Sequence, residues 1–265
     1  KAPMEAFIAE AVRQGFTSYG VSSHAPLPFR TRWTIDDREQ TGLYLQEFAR
    51  LKRLYGDRIE LYVGLEIDYM DEDQQPANDY FQSLPLDYRI GSVHLLHSTQ
   101  GEIVDIDTRP EVFREHVRLH LGGDLKRVVL AYFDKLMRMI GRGGFDFIGH
   151  ADKISYNVSC CEPDILGQQW YKDKISEYFT FIAEKGAMIE VNTKTLHRNG
   201  FLYPNKEHFG LIRTLGIPVV VNSDAHLPEL INSGRPEALR LLKASGIGAV
   251  WQLERGVWTE VPIGE

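Results

Sequence analysis

Cysteine is almost absent from this sequence of 265 residues. Its two cysteines, Cys160 and Cys161, are neighbours in the chain. Adjacent cysteines rarely form a disulfide bond with each other, and they lack the spacing of a zinc-binding pair. We therefore expect two reduced thiols. Because reduced thiols are typical of the cytoplasm, we also expect a cytoplasmic protein.

Long apolar segments and clusters of positive charge are missing as well. No apolar run approaches the length of a membrane-spanning helix, and no signal-peptide pattern opens the sequence. Lysine and arginine form no run, and the formal net charge at pH 7 is −7. Since nucleic-acid binders gain much of their affinity from clustered positive charge, we expect neither a nucleic-acid partner nor a membrane. The oligomeric state stays open.

Three common catalytic signatures are also missing. The sequence has no GxxxxGK[ST] phosphate-binding loop and no GxGxxG dinucleotide-binding motif. Near Ser22 and Ser23 the second glycine of a serine-hydrolase elbow is absent. These absences disfavour nucleotide-driven transfer, dinucleotide redox chemistry and a serine nucleophile. Hydrolysis by metal-activated water remains.

What the sequence does contain is a repeated alternation of amphipathic helix, glycine and short apolar strand. The clearest strand follows Pro218 in the segment IPVVVNSDAH, where an apolar run ends abruptly in polar residues. We predict further strands at 16–22, 59–65, 88–93, 145–148 and 188–191, with another in the tail at 247–253. We predict helices at 4–14, 36–55, 112–121, 125–140, 170–184, 206–215 and 236–245. The loop at 71–84 is polar, and we expect it to be exposed.

Parallel βα units over nearly the whole chain predict an α/β fold, most simply a distorted (β/α)7 TIM-like barrel. We expect residues 1–265 to form a single domain. We predict six strands before the tail, whereas about seven or eight strands close such a barrel. The sequence also begins at Lys1 rather than at a methionine. We therefore expect the first strand of the barrel to lie upstream of Lys1 and the domain to be N-terminally incomplete.

Six side chains that bind metals well follow predicted strands at their carboxyl ends, where the loops of a parallel α/β fold converge. They are His24, Glu66, His94, His150, Asp224 and His226. Imidazole and carboxylate together suit zinc, manganese or iron, and the scarcity of cysteine argues against a thiolate site. A single histidine at such a position is commonly a structural residue. Six ligand-type side chains on one rim predict a metal site.

Other histidines have less support as ligands. His116 and His120 are four residues apart on a predicted helix, but Val117 stands where an HExxH motif has glutamate. We therefore interpret this pair as part of a solvated helix face. Glu190 lies inside a predicted strand, and the sequence does not decide whether it faces the site.

Six short motifs follow one another along almost the whole chain. They are GVSSHAPLP at 20–28, GLEIDY at 64–69, PLDYRIGSVHL at 85–95, GHADKI at 149–154, EVNT at 190–193 and NSDAHLP at 222–228. Each motif is weak alone, but the series resembles the PHP (polymerase and histidinol phosphatase) superfamily, and specifically its histidinol-phosphate phosphatases.

The resemblance implies a distorted seven-stranded βα barrel with three divalent metal ions at its carboxyl rim. By the motifs, Glu66 would bridge two ions. His94 and His150 would bind one of these two ions, and Asp224 would bind the other. His24 and His226 would bind the third ion. The opening HxH motif of the family and a further histidine after it are absent from this sequence. We expect them upstream of Lys1.

The resemblance also implies hydrolysis of a phosphate monoester, most specifically of L-histidinol phosphate to L-histidinol and phosphate in histidine biosynthesis. We assign catalytic roles to Glu66, Asp224 and Asp152, the last as a positioning residue or proton donor. Arg198 is the candidate clamp for phosphate oxygens, because a guanidinium group fits that geometry. The remaining candidates for substrate binding are Asn192 and His197.

Three alternatives stay open. Another PHP phosphatase, acting on nucleotide or sugar phosphates, would share the ligands and differ in its pocket. An amidohydrolase barrel that cleaves C–N or ester bonds fits the GLEID and GSVH stretches less well. The absent HxH motif also allows a catalytically dead metal-binding or regulatory domain.

Overall fold

The centre of the molecule is a sheet of parallel strands. The computed structural model describes residues 2–264. Its strands are β1 Ser18–His24, β2 Glu60–Asp68, β3 Tyr88–Ser92, β4 Leu95–His97, β5 Ile103–Asp105, β6 Phe147–Ile148, β7 Met188–Asn192, β8 Val219–Asn222, β9 Ala249–Glu254 and β10 Val257–Pro262. Six of them form one parallel sheet in the order β1-β2-β3-β6-β7-β8. The sheet is curled like half of a barrel.

Helices connect the strands and cover the outer face of the sheet. They are α1 Met4–Arg13, α2 Arg38–Tyr55, α3 Asp79–Ser83, α4 Pro110–Leu119, α5 Leu125–Arg142, α6 Ile154–Cys161, α7 Gln169–Glu184, α8 Leu196–Asn199, α9 Phe209–Leu215 and α10 Arg235–Ala244. Short 3-10 turns lie at Ile165–Gly167, Lys206–His208 and Pro228–Leu230. Between residues 2 and 264, no helix combines the length and the apolarity needed to cross a bilayer.

Successive side chains of β2 point alternately to the two faces of the sheet. Leu61 and Val63 pack with the helices on the outer face, where they join Phe48 of α2 and Ile8 of α1. Tyr62 belongs to a different cluster on the inner face. Because successive side chains of a strand point to opposite faces, Glu66 lies on the inner face with Tyr62.

The inner face changes from apolar to polar towards the carboxyl ends of the strands. On β3 the inner residues are Tyr88, Ile90 and Ser92, and on β7 they are Met188, Glu190 and Asn192. The Tyr88 ring fills the amino-terminal half, and a Cβ on Gly64 would come within 2.4 Å of it. The polar ends of several strands are thereby gathered at one rim.

The tail of the chain covers the apolar half of the inner face. β9 and β10 form an antiparallel hairpin, and Trp258 of β10 lies 5.8 Å from Phe147 of β6 between ring centroids. The prediction of a strand at 247–253 is confirmed, but this strand pairs with β10 instead of continuing the parallel sheet. The cause is the two-residue turn Arg255–Gly256, whose φ angles of 49° and 75° suit a tight hairpin.

The predicted alternation of helices and parallel strands is confirmed. Within the described residues, β1 and β8 are the edges of the parallel sheet. The closing strand expected upstream of Lys1 stays a prediction, as does the single-domain assignment of residues 1–265.

Several local predictions were wrong or incomplete. The loop at 71–84 is not uniformly exposed: it contains α3, and Phe81 of that helix is buried at 2% exposure because it packs against Leu65 and Ile67. The helix expected at 206–215 starts with a 3-10 turn. The hairpin of β4 and β5 and the helices α6 and α8 have no counterpart in the sequence prediction.

Candidate metal centre

Three of the predicted ligands meet at the carboxyl rim, although they come from three different strands. Glu66 lies near the end of β2, and His94 and His150 follow β3 and β6 by two residues each. The Nε2 atom of His150 lies 2.9 Å from Oε1 of Glu66 and 3.0 Å from Nε2 of His94. Ser92 donates a hydrogen bond of 2.7 Å to the same glutamate oxygen.

His24, the last residue of β1, completes this group. Its Nδ1 atom lies 3.3 Å from Oε2 of Glu66. The Trp33 ring packs edge-on against both His24 and His94, with centroid distances of 4.8 and 5.7 Å. His24, Glu66, His94 and His150 are called the Glu66 cluster below.

Asp68 and Glu190 hold the histidines of the cluster in place. Asp68 accepts hydrogen bonds of 2.9 Å from the backbone N–H of His94 and from its ring Nδ1. This arrangement leaves Nε2 of His94 directed at the cluster. Glu190 accepts a hydrogen bond from the backbone N–H of His150 at 2.8 Å. Its direction, which the sequence left open, is therefore towards the site.

The donor atoms of the cluster fit a divalent metal ion. Two groups of ligand atoms lie within 4.8 Å of one another, and they are His24 with Asp68 and His94, and Glu66 with His94 and His150. Between residues 2 and 264, the buried Nδ1 atom of His24, which lies 3.3 Å from Oε2 of Glu66, has no hydrogen-bond partner. A metal ion accepts lone pairs from imidazole nitrogens that converge in this way. Nitrogen and oxygen donors together suit zinc, manganese or iron.

The backbone is strained or crowded where it presents these side chains. His150 and Asp224 have φ angles of 29° and 46°, in the left-handed region that non-glycine residues rarely adopt. Such a conformation costs about 1–3 kcal/mol and is found most often at functional sites. Gly149 is required for a different reason. A Cβ at this position would lie 2.5 Å from Oγ of Ser92, which bonds Glu66.

Asp224 and His226 lie beside the cluster. Asp224 accepts a hydrogen bond from Nδ2 of Asn192 at 3.2 Å and pairs with Nζ of Lys194 at 3.1 Å. The His226 side chain is 57% exposed, and its Nδ1 atom lies 3.5 Å from Oδ1 of Asp224. In the part of the chain that the structure describes, neither residue belongs to the two groups of converging ligand atoms. Their role as ligands stays a prediction.

Burial and mutual charge determine the ionisation of the cluster. Burial acts to raise the pKa of Glu66, but His24, His94 and His150 together hold it well below its usual range. Burial acts to lower the pKa of His94, but Asp68 and Glu66 raise it above its usual value. The centre therefore carries an ionised glutamate surrounded by imidazoles.

Sequence reasoning missed three charged residues beside the cluster. They are Asp107, Lys153 and Lys194. Oδ2 of Asp107 lies 4.0 Å from Nε2 of His94, and its Oδ1 lies 3.1 Å from Nζ of Lys153. Lys153 follows His150 by three residues, and Lys194 follows Asn192 by two. The positions of these two lysines just past strand ends were a usable signal, but lysine is not a metal-binding residue type.

The predicted substrate-binding residues differ in their surroundings. Asn192 is fully buried and donates hydrogen bonds from Nδ2 to Glu190 and Asp224. His197 and Arg198 lie on the short helix α8 and are exposed. Among the described residues, neither of these two side chains makes a hydrogen bond or an ion pair. The structure therefore brings Asn192 to the site and leaves Arg198 at the surface.

Asp152 contacts a separate group of residues. It is fully buried, accepts a hydrogen bond of 2.9 Å from the backbone N–H of Asn205, and lies 3.7 Å from Nε2 of His208. The buried hydroxyl groups of Tyr132 and Tyr178 have no hydrogen-bond partner between residues 2 and 264, and an ionised Asp152 would raise the pKa of both tyrosines. Burial raises the pKa of Asp152 to about 7. Asp152, His208, Tyr132 and Tyr178 are called the Asp152 pocket below.

Comparison with known proteins places this geometry in context. The sequence model of the PHP domain family matches residues 1–194. A Schizosaccharomyces pombe protein named "Probable histidinol-phosphatase" is 26% identical over 267 aligned residues, covering 96% of this chain and 84% of the relative. The histidinol-phosphatase of Bacillus subtilis is 25% identical, covering 83% of this chain and 85% of the relative.

A solved structure shares the fold. It is the histidinol phosphate phosphatase of Lactococcus lactis in complex with zinc, L-histidinol and phosphate. The TM-score is 0.71 at 16% identity, and the alignment covers 98% of this chain and 93% of that protein. The TIM-like architecture predicted from the sequence is confirmed by this similarity.

Proposed function

Because the chain belongs to the PHP domain family, we propose that it is a metal-dependent phosphatase that hydrolyses L-histidinol phosphate to L-histidinol and phosphate. The observation that carries this proposal is the convergence of Glu66, His94 and His150 from three strands onto one point of the rim. The substrate is supported by the names of the two relatives and by the ligands of the Lactococcus lactis enzyme. The reaction would serve histidine biosynthesis.

Divalent ions, three in our proposal, would be held by the Glu66 cluster together with Asp224 and His226. When bound, such ions would lower the pKa of a water molecule and neutralise charge on the phosphoryl group while the alcohol is displaced. The protein contributes preorganisation. Asp68 fixes the ring of His94, Ser92 fixes the carboxylate of Glu66, and partners of this kind typically change metal affinity or activity about 10- to 100-fold.

We propose a positioning role for Asp152, the first of the two roles considered from the sequence. Its carboxylate binds the backbone N–H of Asn205, two residues after Tyr203. Tyr203 exchanges backbone hydrogen bonds with Asn192 at the end of β7. Asp152 thereby supports the segment that returns from α8 to the site. His197 and Arg198, exposed on α8, remain candidates for contact with an outer part of the substrate.

The direct test is phosphate release by the full-length protein loaded with zinc or manganese. We expect a higher kcat/KM for L-histidinol phosphate than for AMP or glucose 6-phosphate. A preference for either of those two would replace the substrate and keep the phosphatase. No release from any of them, with at least two ions bound per chain, would instead support a non-catalytic metal-binding domain.

A cytoplasmic location and the absence of a nucleic-acid partner are also part of this proposal. The two free thiols and the net charge of −7 support them. Fractionation of cells that express the tagged full-length protein would test the location.

A further inference from the structure

We propose that Lys153 and Lys194 together bind the phosphoryl oxygens of the substrate, an inference that rests on the proposed phosphatase function. The phosphate subsite predicted from the sequence was centred on Arg198. The structure leaves that arginine exposed and brings two lysines to the cluster instead.

Lys153 is an unusually buried lysine. Its side chain is 8% exposed, and its ammonium group lies 3.1 Å from Oδ1 of Asp107 and 4.8 Å from the centre of the Tyr203 ring. Burial acts against its charge, but Asp107, Tyr203 and Asp224 hold the pKa of Lys153 above its usual value. A charged ammonium group is therefore kept next to the metal centre rather than in solvent.

Lys194 lies at the same rim but belongs to a different segment. Its Nζ atom lies 3.1 Å from Oδ2 of Asp224 and 3.4 Å from Nε2 of His226. The charges of Lys153 and Lys194 both act on Asp107, and both act on Asp224. Each ammonium group is thus paired with one carboxylate, Lys153 with Asp107 and Lys194 with Asp224, and its charge also acts on the partner of the other lysine.

This arrangement suits a phosphate monoester dianion. Oδ2 of Asp107 lies 4.0 Å from Nε2 of His94 and its Oδ1 contacts Lys153, so an anionic carboxylate already lies between a lysine and a proposed metal ligand. Phosphoryl oxygens carry negative charge and accept hydrogen bonds, as this carboxylate does, and a lysine can donate three hydrogen bonds. In the proposal, Asp107 competes with the phosphoryl group for Lys153.

The contact between Lys153 and Asp107 also has a purely structural explanation. Lys153 and Asp107 could form an ion pair that serves only to stabilise the fold. Removing Asp107 would then leave the buried Lys153 unpaired, and removing Lys153 would leave Asp107, which is 32% exposed, without its partner. The two roles predict different effects of these substitutions on phosphate affinity. A purely structural pair makes Lys153→Met and Asp107→Asn act alike, whereas a phosphate subsite makes them act differently on phosphate affinity.

The test measures the Kd of inorganic phosphate by calorimetry on the zinc-loaded full-length protein. Zinc content and the thermal midpoint are measured alongside it. We expect Lys153→Met and Lys194→Met each to weaken phosphate binding by about tenfold or more, as loss of a charge-assisted hydrogen bond implies. Asp107→Asn should leave the Kd unchanged or lower it. Lys153→Arg, which keeps the positive charge, should restore most of the affinity.

Lys172→Met is the matched control. Lys172 is exposed on α7 and makes no side-chain hydrogen bond or ion pair among the described residues. The substitution Lys172→Met removes the same charge, and we expect it to change the Kd of phosphate less than twofold. If Lys153→Met does not fold, Lys194→Met still tests the proposal, because Lys194 is 29% exposed and tolerates truncation better.

The results also separate this inference from the proposed function. Wild-type affinity for phosphate in both lysine variants would overturn the inference even if histidinol phosphate is hydrolysed. Equal weakening by Asp107→Asn and Lys153→Met would overturn it as well. Weakening in the lysine variants alone supports the subsite, whichever phosphate monoester turns out to be the substrate.

Discussion

His150 and Asp152 are two residues apart, yet they belong to two polar regions of opposite character. In the Glu66 cluster a buried carboxylate is surrounded by three imidazoles, and its pKa is held far below the usual range. In the Asp152 pocket the nearest imidazole is 3.7 Å away, and burial raises the pKa of the carboxyl group to about 7. Burial also lowers the pKa of His208 to about 4.

The neighbouring side chains decide what a buried carboxylate does. Burial alone disfavours a charged side chain and drives it towards its neutral form. Convergent imidazoles reverse that effect, and such a carboxylate can bind a cation. The carboxyl group of Asp152 is not surrounded by imidazoles in this way. It accepts a hydrogen bond from the backbone N–H of Asn205 instead.

The largest expected effect comes from making the same change in both regions. Glu66→Gln removes the charge on which the histidines converge, so kcat/KM should fall by more than about a hundredfold. Asp152→Asn keeps an acceptor for the N–H of Asn205 and should cost less than about tenfold. Steady-state phosphate release measures both. Equal losses would show that the two regions do not differ in function.

A smaller effect is expected from the partner of His94. Asp68→Asn weakens the two hydrogen bonds that orient this imidazole, so zinc affinity should fall about 10- to 100-fold. Competition with a coloured chelator measures the change. Asp71→Asn is the control, because Asp71 is exposed and caps a turn at Asp73 and Gln74. Unchanged zinc affinity in the Asp68 variant would remove its orienting role.

Gly149→Ala disturbs the cluster without removing any of its groups. The added Cβ would lie 2.5 Å from Oγ of Ser92 and 3.0 Å from Cγ2 of Ile90, so Ser92 must move away from Glu66. We expect a loss of about 1–3 kcal/mol in the free energy of unfolding, as is typical of overpacking, and a loss of activity below about tenfold. Gly210→Ala on α9, where a Cβ meets nothing within 4 Å, should be neutral or stabilising. Urea unfolding of both variants checks this, and an unaffected Gly149 variant would contradict it.

The features that depend on the periodicity of apolar residues could be predicted from the sequence. Apolar strands that end in polar residues located the rim, and His24, Glu66, His94 and His150 were found by that rule. This rule does not predict the direction that the chain takes after a strand ends. At β6 the chain turns through a left-handed His150, and the next two residues determine that Asp152 contacts a different group. Lys153 also lies just past a strand end, but it was missed because lysine is not a metal-binding residue type; its contact with Asp107, on a loop far away in sequence, is visible only in the structure.

The smallest expected effect, counted per pH unit, is a pH dependence of stability, measured without metal. Asp152 has a folded pKa of about 7 against an ordinary 3.8, so it retains a proton that the unfolded chain has lost, and its contribution to stability falls as pH rises between these values. His208 has a folded pKa of about 4 against an ordinary 6.5, so its contribution rises with pH over that range.

Between about pH 4 and 6.5 the two contributions oppose each other, each by up to about 1.4 kcal/mol per pH unit. Relative to wild type, Asp152→Asn should therefore gain stability as pH rises, and His208→Gln should lose it. Because the Glu66 cluster is the same in all three proteins, its own titration cancels in these differences. Urea unfolding in EDTA at pH 4.5, 5.5 and 6.5 measures them. Parallel curves for the three proteins would mean that both groups titrate normally, and the contrast between a charged cluster and a neutral pocket would be lost.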